Sequence, residues 1–228
     1  FQAAQEVVKK GRELAAQHLE AGVEDIEFTD GAYRVRGTDL AVSLTELSRV
    51  YSKDGESQLD TKFEGAQQRA FPTGAHVAEL EIDPETGELE LLSYVGVDDC
   101  GNIINHTLAE GQVHGGIMQG LGQVFGEVCI YDQSGQMLSG SFMDYFMPRA
   151  SDLTRSLQLY DRPIPAPGNQ LGAKGVGEAG TTGSVPTLAN AVIDALRPLG
   201  INHVDFPLSP SRIWRAIKDS KAACPLHP

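Results

Sequence analysis

The segment Leu171-Gly-Ala-Lys-Gly-Val-Gly-Glu-Ala-Gly180 sets one carboxylate, Glu178, and one cation, Lys174, among four glycines. Glycines let a backbone come close to a ligand and turn its N–H groups outward, as side chains would not allow. The segment leads into a helix-like run, Val185 to Leu196, whose N-terminal partial positive charge favours an anion such as a phosphate. A carboxylate inside an anion-friendly loop has little structural purpose, so Glu178 reads as a candidate base. Lys174 is the only cation there; a solvated lysine is the default, with a phosphate or ring-oxygen contact as the functional reading.

A second cluster, Gly111-Gln112-Val-His-Gly115-Gly116 through Gly126, holds six glycines and no charged residue. In a helix each interior glycine costs up to about 1 kcal/mol relative to alanine, so close approach of something must offset the loss. The four-residue spacings Gly116/Gly120 and Gly122/Gly126 suit tight helix packing. The early turn differs: Gln112 and the amides of a helix start suit a polar heterocycle or a phosphate.

More familiar readings of these motifs are weaker. No Gly-Lys dipeptide occurs, which removes a Walker loop. Gly175 to Gly180 matches GxGxxG, but that string carries meaning only directly after a buried strand in a βαβ unit. The lead-in Arg162-Pro-Ile-Pro-Ala-Pro-Gly cannot be a central strand. No serine sits in a GxSxG elbow. His106 and His114 share roughly one helix face without a third ligand at useful spacing, so no protein-ligated metal is expected.

The elements that must position these residues mix two periodicities. Residues 4–20 are apolar at helical spacing. Asp25 to Arg36 alternates around Thr29-Asp-Gly31 and reads as a hairpin, and Ser43-Leu-Thr-Glu46 is a capping box opening a helix to about Tyr51. A second hairpin joins Ala75–Asp83 to Glu88–Val97 through Pro84-Glu-Thr-Gly87, with Asp98, Asp99 and Asn102 at its end. Helical signals recur at about 106–125, 185–197 and 210–219, and 128–131 and 156–160 read as strands. The expectation is an α+β fold, two-layer, of antiparallel hairpins packed with helices. The polar stretch 52–60 is the best boundary, giving a helix-hairpin-helix lobe at 1–58 and a C-terminal lobe at 59–228.

A chain of 228 residues with 41% apolar and 21% charged residues can build a proper core. The net charge of −13 argues against nucleic acid and anionic membranes as partners. Three scattered cysteines, Cys100, Cys129 and Cys224, cannot ligate an iron–sulfur cluster and suit a reducing, cytoplasmic setting. No apolar run approaches the roughly 20 residues of a membrane span. The chain opens at Phe1 in what reads as a helix, so a fragment of a longer subunit is expected.

Six ordered segments together resemble the molybdenum hydroxylases, the family of xanthine dehydrogenase, aldehyde oxidoreductase and the aerobic carbon monoxide dehydrogenase large subunit. They are Asp98–Asn105, Glu110–Gly116, Gln119–Gly122, Asp144–Pro148, Gly172–Glu178 and Pro207–Trp214. Ala179 follows Glu178 where xanthine dehydrogenase has proline, so the wording is closer to the carbon monoxide dehydrogenase-like branch. The resemblance implies the C-terminal portion of a molybdopterin-binding large subunit. It implies that Glu178 is the active-site base in insertion of a water-derived oxygen. It also implies that Gln112, Gly115, Gly116, Lys174, Gly175, Val176 and Gly177 contact the molybdopterin, whose cytosine dinucleotide form stays open. Partners would be the remainder of the subunit and iron–sulfur and flavin (FAD) subunits or domains, with a small-molecule substrate. Carbon monoxide, an aldehyde, a purine or another N-heterocycle all fit. From the residues alone, two other classes stay open: a nucleotide-binding module using Gly175 to Gly180, and a catalytically silent interaction domain.

Overall fold

A computed structural model describes residues 1–65, 69–154 and 156–223, with side chains of 221–223 left aside. The chain divides into two compact units, 1–67 and 68–228.

In the first unit, helix α1 (Gln2–His18) is followed by a three-stranded antiparallel sheet, β1 (Ile26–Thr29), β2 (Ala32–Val35) and β3 (Ala41–Ser43). The turn between β1 and β2 has Asp30 and Gly31 both at positive φ, as the Asp-Gly pair requires. Helix α2 (Leu44–Val50) starts where Ser43 accepts a hydrogen bond from the Glu46 amide at 3.1 Å. Leu14, Ile26, Tyr33, Val42 and Leu47 form the core. The polar stretch after α2 makes a small hairpin, β4 (Ser52–Lys53) with β5 (Glu56–Ser57), and Leu59 is buried in this same core. The first unit thus runs past residue 58 because one apolar side chain ties the polar segment down.

The second unit is built on a long hairpin, β6 (Thr73–Ile82) and β7 (Leu89–Asp99), with a register shift between Glu79 and Leu80. A third strand, β8 (Leu157–Asp161), pairs parallel to β7, so this sheet is mixed rather than purely antiparallel. Helices α3 (His106–Phe125), α4 (Ala179–Leu196) and α5 (Pro210–Ala223) complete the unit. Tyr94, Ile117, Leu121, Leu188, Val192 and Ile213 fill the core. Helix α4 starts at Ala179, earlier than its apolar periodicity suggests, because the first turn is polar and glycine-rich. Residues 128–131 form no strand; Tyr131 makes one isolated bridge to Met137. The α+β class holds.

Candidate functional site

Three elements converge on Glu178: the end of β7, the first half of α3, and the loop before α4. The loop is fastened first. Asp99 ends β7, and its carboxylate accepts from the amides of Gly101 (3.0 Å) and Ile164 (2.9 Å) and from Lys174 Nζ at 2.6 Å. Lys174 and Asp99 are nearly covered, with side chains 12% and 8% exposed. The Lys174 ammonium, then the Ile164 and Gly101 amides, hold the Asp99 carboxyl down at about 2. The Lys174 amide donates to the Cys100 carbonyl at 3.0 Å, and the Asn102 amide and side chain donate to the Gly172 and Leu171 carbonyls. Gly101 and Gly172, both at positive φ, meet backbone to backbone here.

The sequence reading gave Lys174 a phosphate or ring-oxygen contact. The structure instead commits its ammonium to Asp99, because two covered opposite charges gain most from each other. Lys174 anchors the loop.

Beyond this anchor the loop is open. Gly175, Gly177 and Glu178 are exposed and Val176 is half-buried. Gln112, on the first turns of α3, donates from Nε2 to the Gly177 carbonyl at 2.9 Å. This bond brings Gln112 beside the residue preceding Glu178. Glu178 is the N-cap residue of α4, yet its carboxylate caps no amide. A carboxylate at a helix N-terminus that does not serve the helix is free for chemistry.

The glycines separate into two kinds. At Gly115, Gly175 and Gly177 a side chain would meet open space. Gly116 is buried, and a Cβ there would lie 2.8 Å from the Thr181 amide nitrogen and 3.0 Å from Gly180 Cα. Gly120 likewise faces Ser184, while Gly122 and Gly126 face Glu127, Pro148 and Phe146. Gly115 therefore stands on the open side with Gln112, and Gly116 on the packed side against α4.

Sequence reasoning missed a buried polar cluster under α4. His76 Nδ1 lies 2.7 Å from the Tyr94 hydroxyl, and its Nε2 lies 3.2 and 3.3 Å from the two Asp98 oxygens. A carboxylate only accepts, so Nε2 carries the hydrogen toward Asp98, while Nδ1 shares a hydrogen bond with the Tyr94 hydroxyl. Burial first, then the Asp98 charge, push the Tyr94 phenol well up. The imidazole packs on Gly183, where a Cβ would collide with it. A cavity of about 370 Å³ joins this cluster to Glu178, lined also by Thr182, Pro186 and Thr187. The signal available in sequence was a histidine and an aspartate on facing strands, His76 on β6 and Asp98 on β7. A larger cavity of about 620 Å³, lined by Leu80, Leu91, Leu121, Phe125 and Phe146, shares none of the site residues.

His106 is exposed and 3.6 Å from Asp161. Among the described residues no group of three His, Cys, Asp or Glu side chains could hold a metal ion. Asp144 accepts from Ser141 Oγ at 2.6 Å on an exposed segment, where Phe142 and Met143 point outward.

An α+β unit with an anchored glycine loop, an idle carboxylate and an open backbone stretch has the features of a ligand-binding domain. The profile of the molybdopterin cofactor-binding domain family matches residues 1–154, and the chain belongs to that family. It is 30% identical to the carbon monoxide dehydrogenase large chain of Hydrogenophaga pseudoflava over 97% of its length, covering 28% of that relative. It is 34% identical to the nicotine 6-hydroxylase large subunit of Paenarthrobacter nicotinovorans, over 90% of this chain and 26% of the relative. Two solved structures share its fold. Reconstituted CO dehydrogenase from Oligotropha carboxidovorans has a TM-score of 0.78 and 30% identity, across 97% of this chain and 28% of that one. Quinoline 2-oxidoreductase from Pseudomonas putida 86 also gives 0.78, with 31% identity, across 96% and 29%. The chain thus spans less than a third of the length of these relatives. It is a molybdopterin-binding portion of the molybdenum hydroxylase large-subunit family.

The residues present fit the cofactor. Gly115, Gly175 and Gly177 leave the space a flat polar ring system needs, and the Gln112 amide and the Glu178 carboxylate border it.

Proposed function

We propose that this chain carries the base and part of the cofactor cradle of a molybdenum hydroxylase-type oxidoreductase, with Glu178 as the proton acceptor. The observation that carries this is the Gln112–Gly177 hydrogen bond. It fixes an amide-bearing helix face and the open glycine loop next to a carboxylate with no structural duty. Gln112, Gly115 and the backbone of Gly175, Val176 and Gly177 hold the molybdopterin. Gly116 and Lys174 act behind them, setting the helix crossing and the loop anchor.

When bound, the molybdenum cofactor supplies the two-electron redox chemistry, as cofactors do in such enzymes. The chain supplies position and proton acceptance. Glu178, at the N-terminus of α4, takes a proton as a water-derived oxygen enters the substrate carbon. Electrons leave through iron–sulfur and flavin partners. Glu178 is exposed in this chain, so the walls that enclose it belong to the remainder of the large subunit, which also selects the substrate. Relatives named for carbon monoxide, nicotine and aldehyde point to small substrates as the class. The enzyme works in the cytoplasm, and this 228-residue chain alone holds the cofactor weakly and does not turn over.

Glu178→Gln in the complete enzyme tests the assignment. Molybdenum content should stay at the wild-type level while turnover falls by a factor of about 10² or more. Retained turnover at full occupancy would remove Glu178 from the base role.

A further inference from the structure

We propose that Asp98, oriented by His76, is the proton outlet for Glu178, a reading that rests on Glu178 being the base. A base that takes a proton each turnover must lose it before the next, and on this chain the cavity of about 370 Å³ gives it a route. Glu178 lines one part of that cavity, and Asp98 and His76 line another. The volume is several times the roughly 30 Å³ a water occupies in the liquid. Thr182 and Thr187 line it too, and Pro186, inside α4, has no N–H to offer the Thr182 carbonyl one turn back. A space of this size lined by polar residues has room for water, which would carry protons along it.

The buried end is built for a carboxylate that accepts and returns a proton. His76 is covered (side chain 2% exposed) and spans Tyr94 and Asp98 with both ring nitrogens. Nε2–H donates to Asp98 and keeps the carboxylate turned to the cavity. The hydrogen bond between Nδ1 and the Tyr94 hydroxyl fixes the orientation of the ring, as outer partners fix a functional histidine. Gly183 makes room for the ring, and Thr187 Oγ1 donates to the His76 carbonyl at 3.4 Å, so the first turns of α4 hold both Glu178 and this cluster. In the transfer, the Glu178 carboxyl gives its proton to cavity water and water gives one to an Asp98 oxygen; Asp98, itself buried, passes it on through a second cavity of about 170 Å³ that it lines with the exposed His106, Glu110 and Asp161. Both carboxylates end ionised, and the one proton that Glu178 accepts leaves by this route, a transfer that itself moves no electrons. The titratable groups around Asp98 are His76 from β6, Tyr94 on its own strand, Cys100 just past the end of that strand, Asp161 from β8, His106 and Glu110 from α3, and Glu178 across the cavity.

The test uses the complete molybdenum enzyme purified with its partners. In Asp98→Asn, molybdenum content should match wild type while turnover falls by about tenfold or more. Added imidazole or another small buffer should restore the rate in proportion to its concentration. His76→Gln should lower the rate with the same rescue by added buffer, and Asp98→Glu should recover most of the rate. A merely structural brace would lower molybdenum content or stability and leave the rate of the remaining loaded enzyme independent of buffer, which would overturn the proposal. If the Asp98 and His76 variants do not fold, the unaltered enzyme decides. A bowed dependence of turnover on deuterium fraction shows several protons moving together and supports the outlet; no dependence overturns it. Failure of the base itself is separate: Glu178→Gln would then turn over, whereas failure of the outlet alone leaves Glu178→Gln inactive and Asp98→Asn fast.

Discussion

Gly116 and Gly175 lie in similarly glycine-rich strings, yet they do opposite work. On the inner side of α3, Gly116 and Gly120 press against Gly180 and Ser184, and the missing side chains are what let two helix backbones touch. On the outer side, Gly115, Gly175 and Gly177 face open space. The first set gives up helix propensity to gain packing; in the second, Gly115 gives it up and Gly175 and Gly177 leave a loop bare, with no return inside this chain. Under the proposed function these are the glycines the cofactor explains, and Gly175 and Gly177 lead directly into Glu178.

The largest effect on stability should come from filling the packed set. Gly180→Ala would drive a methyl into the Val113 carbonyl oxygen and to 3.1 Å from Gly116 Cα, both backbone atoms that cannot swing aside. A loss of about 2–3 kcal/mol is expected, read as a lower urea midpoint. An unchanged midpoint would mean the α3–α4 crossing is looser than described.

Next comes the anchor that joins the two sets. Lys174→Met removes the cation and leaves Asp99 with two amide partners. Amide exchange at residues 172–178 should quicken while the β6–β7 amides stay protected. The same variant has a pH signature. Asp99 is held at about 2 in the folded chain, against an ordinary carboxylate value near 3.9. Its stabilising contribution is therefore complete above about pH 4 and lost as pH falls from there toward 2. Lys174→Met should flatten that acid limb; an unaltered limb would mean the pair is not formed.

The smallest effect on stability should come from the open set. Gly115→Ala lies inside a helix and should leave stability unchanged or raise it by up to about 1 kcal/mol. Gly175→Ala has neither a positive φ nor a nearby atom to oppose it and should be neutral. Both should lower molybdenum content in the assembled enzyme. Full occupancy in both would break the comparison, since the open glycines would then serve nothing.

Much of this was legible before any coordinates. The hairpins at 26–35 and 73–99 follow from strict alternation with Asp-Gly and Pro-Glu-Thr-Gly turns, since register and face are local properties. The base candidate was legible because Glu178 offends its surroundings. Partners distant in sequence were not. Lys174 finds Asp99 75 residues away, and Asp98 and Asp99, adjacent on β7, diverge to His76 and to Lys174. Nothing in Asp-Asp says which neighbour each will meet. The parallel pairing of β8 was equally hidden, because its short apolar run specifies a strand but not a direction. At 128–131 the apolar residues suggested a strand, yet they are exposed and cross no partner ladder.

Elemental mass spectrometry of this polypeptide, purified natively with its endogenous partners, tests the central claim most directly. The account predicts stoichiometric molybdenum per chain, with iron in the same particle. A partner-bound complex free of molybdenum would contradict it and return the glycine loop to the nucleotide-binding and interaction-domain readings.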